Sequence, residues 1–497
     1  MPVPDVTVIT PVHNTRPYLD AWFSSLLQQS IGLPRIEVIA VDDGSHDGSA
    51  AELDRLAGLH PGLLTVVALP DRGGPARARN LALDLATGRY LFFLDSDDYL
   101  GPEALGRMVA AADEHGSDIV LGRVVGVNGR WVPAFACRAT DHDVRFPDGD
   151  LAWSLTPSKL FRRSLVLEHE LRFREELPVY SDGPFVLEAY FRARRISVLA
   201  DYDYYFLVAR SDGGNITYTS RLHDRLRGIS AGVEVTARCA PPGHDRDVVN
   251  SRHLRGDLAN LFRAEFLALP RAEQESLCAD AGTLVRSHLT DPIRSWCSEA
   301  QRLKLHCVQY GLVDELIVLV RHECEQAGPL QALDVTATAW TGSRRAPALE
   351  VRARPPQSLS ALSGEPVAHA LPTAERAAGG GRQVEFRATT RPDADPYRVV
   401  ISLPALLPRP RQGDPLRERW SLRLEAEFAG RLVAIPVPAD SALQPVRWWH
   451  RGRPYRATAL RGSDGALVLA IAPVSIRRAL SLRLRRVLPT SRSRPAS

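Results

Sequence analysis

The sequence reads as an α/β domain on a mostly parallel sheet, followed by a helical segment and an antiparallel β-sandwich. Over the first ~220 residues, short β-branched runs alternate with amphipathic windows. Between ~221 and 330 the apolar period is helical, and from ~331 it becomes two. At 497 residues the chain exceeds one ordinary core. The expected divisions are 1–220 (α/β), 221–330 (helical linker), 331–475 (β-sandwich) and a basic tail, 476–497.

Val6–Thr10 is the first strand. Tyr18–Gln29 has helical spacing, with Trp22, Leu26 and Leu27 on one side. Ile36–Val41 is the second strand, Ser49–Leu59 a helix and Leu63–Leu69 a third strand. Pro75–Ala86 is an alanine- and arginine-rich helix, and Gly88 precedes the strand Tyr90–Leu94. Alternating strands and helices imply a mostly parallel sheet covered on both faces, with its ligand beyond the carboxyl ends of the strands. The polar clusters fall there: Thr10-Pro11-Val12-His13-Asn14, Asp42-Asp43-Gly44-Ser45 and Asp95-Ser96-Asp97-Asp98. A further helix, Phe185–Ala193, follows Tyr180-Ser181-Asp182.

Helical windows then run over Leu258–Leu269, Glu273–Leu289, Ser298–Gly311 and Val313–Ala327. Beyond them, Leu333, Val335, Ala337 and Ala339 alternate with polar partners. So do Leu349, Val351 and Ala353; Val384, Phe386 and Ala388; and Leu422, Leu424, Ala426 and Phe428. Pro- and Gly-rich breaks between these runs indicate an antiparallel β-sandwich.

A formal charge of +4 implies no whole-chain attraction to nucleic acid. No apolar run approaches the ~18–20 residues of a membrane span, and no secretion signal follows Met1. The six cysteines are dispersed without a CxxC pair and are read as reduced thiols of a cytoplasmic protein. Residues 476–497 carry seven arginines and no acid, with Ile476, Leu480, Leu484, Val487 and Leu488 at roughly helical spacing. They read either as a basic amphipathic helix for peripheral attachment to the inner membrane face or as a frayed terminus.

The most informative run is Phe92-Phe93-Leu94-Asp95-Ser96-Asp97-Asp98. Three carboxylates within four positions repel one another. A divalent cation relieves that repulsion, and oxygen ligands suit Mg²⁺ or Mn²⁺. Asp95 and Asp97 fall on one side of the chain, one suited to ribose hydroxyls and the other to metal. A carboxylate in Asp42-Asp43-Gly44-Ser45 can accept a uracil imide N–H or serve as a turn and N-cap. Arg77 and Arg79 follow the Gly73-Gly74 turn and suit a base or phosphate, or a solvated helix face. Asp182 at a helix mouth reads as an N-cap or as a general base for an acceptor hydroxyl. Asn215-Ile216-Thr217, after Arg210, suits a diphosphate-contacting loop.

In this order the motifs resemble the family 2 inverting glycosyltransferases of the GT-A fold. They are Thr10–Asn14, Val41–Ser45, Gly74–Asn80, Phe93–Asp98, Ser158-Lys159-Leu160-Phe161 and Tyr180–Asp182. The remainder resembles the TarS-type wall teichoic acid glycosyltransferases, which attach N-acetylglucosamine to poly(ribitol phosphate). The resemblance implies that Pro11, Asp42, Arg79 and Asp95 contact uridine, and that Asp97 binds Mn²⁺ or Mg²⁺. It implies that Asp182 is the catalytic base and that Arg210 and Thr217 touch the diphosphate. Implied partners are a UDP-sugar, an anionic glycopolymer and further copies of the chain in a trimer.

Two departures stand out. Ser181 occupies a position where the family usually has Glu, and Arg210-Ser211-Asp212-Gly213-Gly214 replaces the usual basic loop. The first motivates an alternative, a non-catalytic polymer-binding protein on a decayed transferase domain. A nucleotidyltransferase ranks below both, because His13-Asn14-Thr15-Arg16 is not a triphosphate-binding loop.

Overall fold

A computed structural model of the chain describes residues 3–130, 132, 137–147, 150–210, 220–325, 334–343, 345–354, 367–372, 384–387, 397–407, 418–428, 431–440, 442–462 and 465–474. They form two compact units, 1–313 and 314–497. The expected tail helix after Ile476, the sandwich position Ala388 and the loop carrying Thr217 lie outside the described residues.

The first unit begins with β1 (Val6–Val12), α1 (Leu19–Leu27), β2 (Ile36–Asp43), α2 (Ser49–Leu59), β3 (Leu64–Leu69), α3 (Pro75–Leu85) and β4 (Tyr90–Phe93). There follow β5 (Tyr99–Leu100), α4 (Ala104–His115), β6 (Ile119–Val127), β7 (Asp141–Val144), β8 (Leu160–Arg162), α5 (Arg163–Glu168), α6 (Asp182–Arg192) and β9 (Ile196–Val208). The strand order is β3-β2-β1-β4-β8-β6-β9-β5, with β7 on β9. β1 to β4 pair in parallel, as the strand–helix alternation predicts. The other half is mixed, because β8 runs antiparallel to both β4 and β6.

Alternation along the central strands sends side chains to two cores. Val8, Val38 and Phe92 face one with Trp22 of α1. Ile9, Ile39 and Phe93 face the other with Phe161, Phe173 and Phe185. Burial on both faces explains why these strands read as near-continuous apolar runs. Phe93 meets Phe173 and Phe185 edge-on, and those two stack at 4.1 Å.

The helical segment continues with α7 (Leu222–Cys239), α8 (His244–Ser251), α9 (Arg271–His288), α10 (Asp291–Trp296), α11 (Glu299–Tyr310) and α12 (Val313–Glu325). Ser298 and Gln301 form a capping box before α11, and Gly311 closes it at φ +69°. The single helix expected over Leu258–Leu269 is instead three pieces. A π-helical turn (Arg252–Leu258) and two short helices flank a break at Phe262 and Arg263. Phe262 and Phe266 are fully buried there and meet edge-on at 5.2 Å, so tertiary packing overrides the local period. No helix among the described residues is long and apolar enough to cross a membrane.

In the second unit, sheets of three and seven strands share one core. Leu349, Val351, Ala353, Leu422 and Leu424 point into it, as the period-two pattern predicts. The strand Asp334–Gly342 departs from it. A bulge between Val335 and Ala337 inserts one residue, so Ala337 and Ala339 turn out to solvent while Val335 and Trp340 face inward.

Candidate active site

Hydrogen bonds tie the strand ends together. His13 Nδ1 meets the Asp43 carbonyl at 2.8 Å, Asn14 N donates to Ser45 Oγ at 3.0 Å, and Thr15 Oγ1 to Ser96 Oγ at 3.0 Å. Asp43 accepts from the N–H groups of Gly73 and Gly74 at 2.6 and 2.8 Å, so it holds the turn that launches α3. Gly74 starts that helix at φ +86°, a region that favours glycine. Asp42 is only 4% exposed and its Oδ1 has no hydrogen-bond partner. A buried carboxylate oxygen without a donor is costly; of the two acids here, Asp43 and not Asp42 lines the site cavity.

Arg79 occupies the centre. Its guanidinium donates to Asp182 Oδ1 at 2.6 Å and to Asp95 Oδ1 at 2.7 Å, and it lies over the Phe173 ring at 5.2 Å. Its side chain is 4% exposed, while Asp95 and Asp182 are 41% and 33% exposed. Arg79 thus holds two carboxylates at once while lining the site cavity. The charges of Asp182 and Asp95 hold the guanidinium protonated against its burial. Asp182 is the first residue of α6 and makes no cap, because its side chain is spent on Arg79. Burial raises its carboxyl above the ordinary range, with Arg79 opposing and Asp95 adding to the rise.

The three clustered carboxylates have separate tasks. Asp95 pairs with Arg79. Asp98 is buried and accepts from Tyr205 Oη at 2.6 Å and Val208 N at 2.7 Å, tying the β4 end to β9. Asp97 faces the site, and burial together with the charge of Asp95 pushes its carboxyl up to about 6, with Arg210 opposing. Arg210 donates to the Asn14 carbonyl at 2.8 Å and covers the Tyr18 ring at 5.5 Å. Among the described residues no three His, Cys, Asp or Glu side chains are grouped to hold a metal.

A cavity of about 330 Å³ is lined by Pro11, Asp43, Arg79, Asp95, Asp97, Asp182 and Arg210. A second, of about 630 Å³, shares Asp95, Arg130, Thr156, Asp182 and Leu207 with it and extends under β6 to Trp153, Cys137 and Lys159. Lys159 is 2% exposed, donates to the Thr156 carbonyl, and lies 5.9 Å from the Tyr190 ring. Burial pushes its amine down to about 7.

The unfolded chain therefore holds a proton on Lys159 between about pH 7 and 10 that the folded chain has released, so stability rises with pH in that window. Lys159→Met removes this slope. Melting temperatures of both proteins across pH 6–10 are expected to converge towards pH 10, with wild type losing ground below it. Parallel curves would contradict a near-neutral buried amine.

Sequence reading missed what braces the loop before Asp182. Asn80 grips the backbone of Phe173 with both side-chain atoms, at 2.8 and 2.9 Å. From the other side, α7 carries Arg227, which donates to the Glu176 carbonyl at 3.0 Å, and Gly228. A Cβ on Gly228 would stand 2.5 Å from Tyr180 Cβ. Tyr180 itself is in the left-handed region at φ 57°. The only local signal was glycine in an otherwise helical window.

Sheet order and the linked strand ends are those of a GT-A fold. Residues 7–168 match glycosyl transferase family 2, and residues 223–320 match the glycosyl transferase TarS linker domain. The first of these matches covers the α/β domain and the second the helical segment that follows it.

The poly(ribitol-phosphate) beta-glucosyltransferase of Bacillus spizizenii is 37% identical over 212 residues, 43% of this chain and 33% of that protein. The poly(ribitol-phosphate) beta-N-acetylglucosaminyltransferase TarS of Staphylococcus aureus is 35% identical over 204 residues, 41% of this chain and 35% of that one. The chain thus spans about a third of these curated relatives. The crystal structure of S. aureus TarS 1–349 with UDP-GlcNAc superposes with TM-score 0.58 at 27% identity, covering 67% of this chain and 94% of that one.

Proposed function

We propose that this chain is a metal-assisted inverting glycosyltransferase. It moves a sugar from a UDP-sugar to a hydroxyl of an anionic alditol-phosphate polymer at the cytoplasmic face of the membrane. The observation that carries this reading is Asp182, clamped through Arg79 to Asp95 where the two cavities meet. The relatives' names supply the candidate sugars, glucose and N-acetylglucosamine, and the acceptor class.

Asp42 receives the uracil imide through its unpartnered oxygen. Asp182 takes the proton of the acceptor hydroxyl as that oxygen attacks the anomeric carbon. The bond to the diphosphate breaks with its electron pair, so UDP leaves and the anomeric configuration inverts. A base whose carboxyl is raised suits transfer near neutral pH. Arg79 orients Asp182 through a fixed two-pronged fork. Mn²⁺ or Mg²⁺ fits beside Asp97, whose buried charge a cation would relieve, and would neutralise the leaving diphosphate. Asp97 would be the carboxylate that holds such a cation, with phosphate oxygens and water as its further oxygen donors.

The direct test is UDP release from a panel of UDP-sugars with Mn²⁺ or EDTA, alongside melting of wild type and Asp97→Ala. UDP at a hundredfold excess over Kd stabilises by about 2.7 kcal/mol. That gain is expected to grow with Mn²⁺ in wild type and to be metal-independent in Asp97→Ala. UDP binding with no turnover on any donor or polymer would instead favour the non-catalytic polymer-binding reading.

A further inference from the structure

One face of the second unit takes no part in the proposed transfer. Its seven-stranded sheet includes strands Glu418–Phe428, Val446–His450, Arg453–Arg461 and Leu467–Pro473. Trp420, Trp448, Tyr455, Ala457, Leu467, Leu469 and Ile471 point into the core. Of their neighbours, Arg419, Arg447, Trp449, Arg456, Thr458, Ala470 and Ala472 alternate to the other face and are exposed or half-buried, while Pro454 and Val468 are buried.

Register places those outward residues side by side. Arg447 stands opposite Arg456 and Trp449 opposite Pro454. Arg456 stands opposite Ala472 and Thr458 opposite Ala470, and Ala470 in turn faces Arg419. Ala470, Ala472 and Thr458 thus make a low floor, roughly 10 Å across at two strand spacings. Arg419 stands on one side of it, and Arg447, Arg456 and Trp449 on the other. Trp449 is 56% exposed. Between Val446–His450, Arg453–Arg461 and Leu467–Pro473, no described outward position holds an acid.

We propose that this floor binds a phosphodiester-linked alditol or sugar chain, with Trp449 covering an apolar face of the repeat and Arg447 and Arg456 pairing its phosphates. The assignment rests on the anionic-polymer reading above and adds a place on the second unit where the polymer is held. Charge complementarity commits the face to a polyanion. An exposed indole amid guanidinium groups suits a chain alternating carbon-rich repeats with phosphate. A second point of attachment on the chain favours a long polymer over a short one.

The test uses the full chain, with Arg447→Gln/Arg456→Gln and Trp449→Ala as variants at exposed positions. Binding of long poly(ribitol phosphate) is measured by calorimetry at two salt concentrations. Steady-state kinetics compare the long polymer with a short oligomer of the same repeat.

Each variant is expected to weaken long-polymer binding and raise its KM by about tenfold, the equivalent of 1.4 kcal/mol. Turnover on the short oligomer should be unchanged, and the salt dependence reduced in the double variant. Unchanged polymer affinity and KM would overturn the proposal. So would a loss confined to self-association in sedimentation, or to vesicles of phosphatidylglycerol and phosphatidylcholine. If wild type transfers nothing yet binds polymer through these residues, the transfer reading fails and this one stands.

Discussion

Asp182→Asn is expected to lower sugar transfer by about 10²–10⁴-fold, the usual contribution of a positioned general base. UDP affinity and melting temperature should stay close to wild type. Asparagine keeps an oxygen where Arg79 now donates at 2.6 Å, so the clamp retains its geometry and only the proton acceptor is lost. The loss should fall on kcat, because Asp182 acts on the acceptor proton and not on the uridine. An Asn variant with more than a tenth of wild-type kcat would remove Asp182 from the base role.

Replacing Arg79 with methionine is expected to damage stability and activity together. The guanidinium is 4% exposed and satisfies two carboxylates at once. Removing one partner of a buried pair costs about 3–5 kcal/mol. Here the low end applies, because Asp95 and Asp182 are 41% and 33% exposed and solvent screens them in part. Urea denaturation should register about 3 kcal/mol. Arg79→Lys is the sharper probe: it restores the charge and much of the stability, but an ammonium lacks the fork that spans both acids. A Lys variant with wild-type kcat would show that charge alone suffices.

Much of this architecture was legible without coordinates. Ser49–Leu59 and Pro75–Ala86 were read as helices within a residue of their ends, since apolar spacing and the Gly74-Pro75 start are local signals. The strand ends also declared themselves, because Thr10–Asn14, Asp42–Ser45 and Asp95–Asp98 are polar interruptions of buried strands. Less legible was the start of α6. It begins at Asp182, three residues before the Phe185 expected. The first turn of a helix carries little apolar period, and Asp182 looks like a cap until its partner is known.

The sequence by itself determined which residues can be charged, which runs must be buried and where the chain turns, because these depend on side-chain chemistry and spacing along a few residues. Only the tertiary structure decided how identical carboxylates divide their work. Asp95, Asp97 and Asp98 are adjacent in sequence, yet one pairs with Arg79, one faces the cavity and one anchors Tyr205 and Val208. The partners that separate them come from 16, 107 and 110 positions away. Burial and Coulomb interaction act through space, and contacts at that separation exist only once the sheet has assembled.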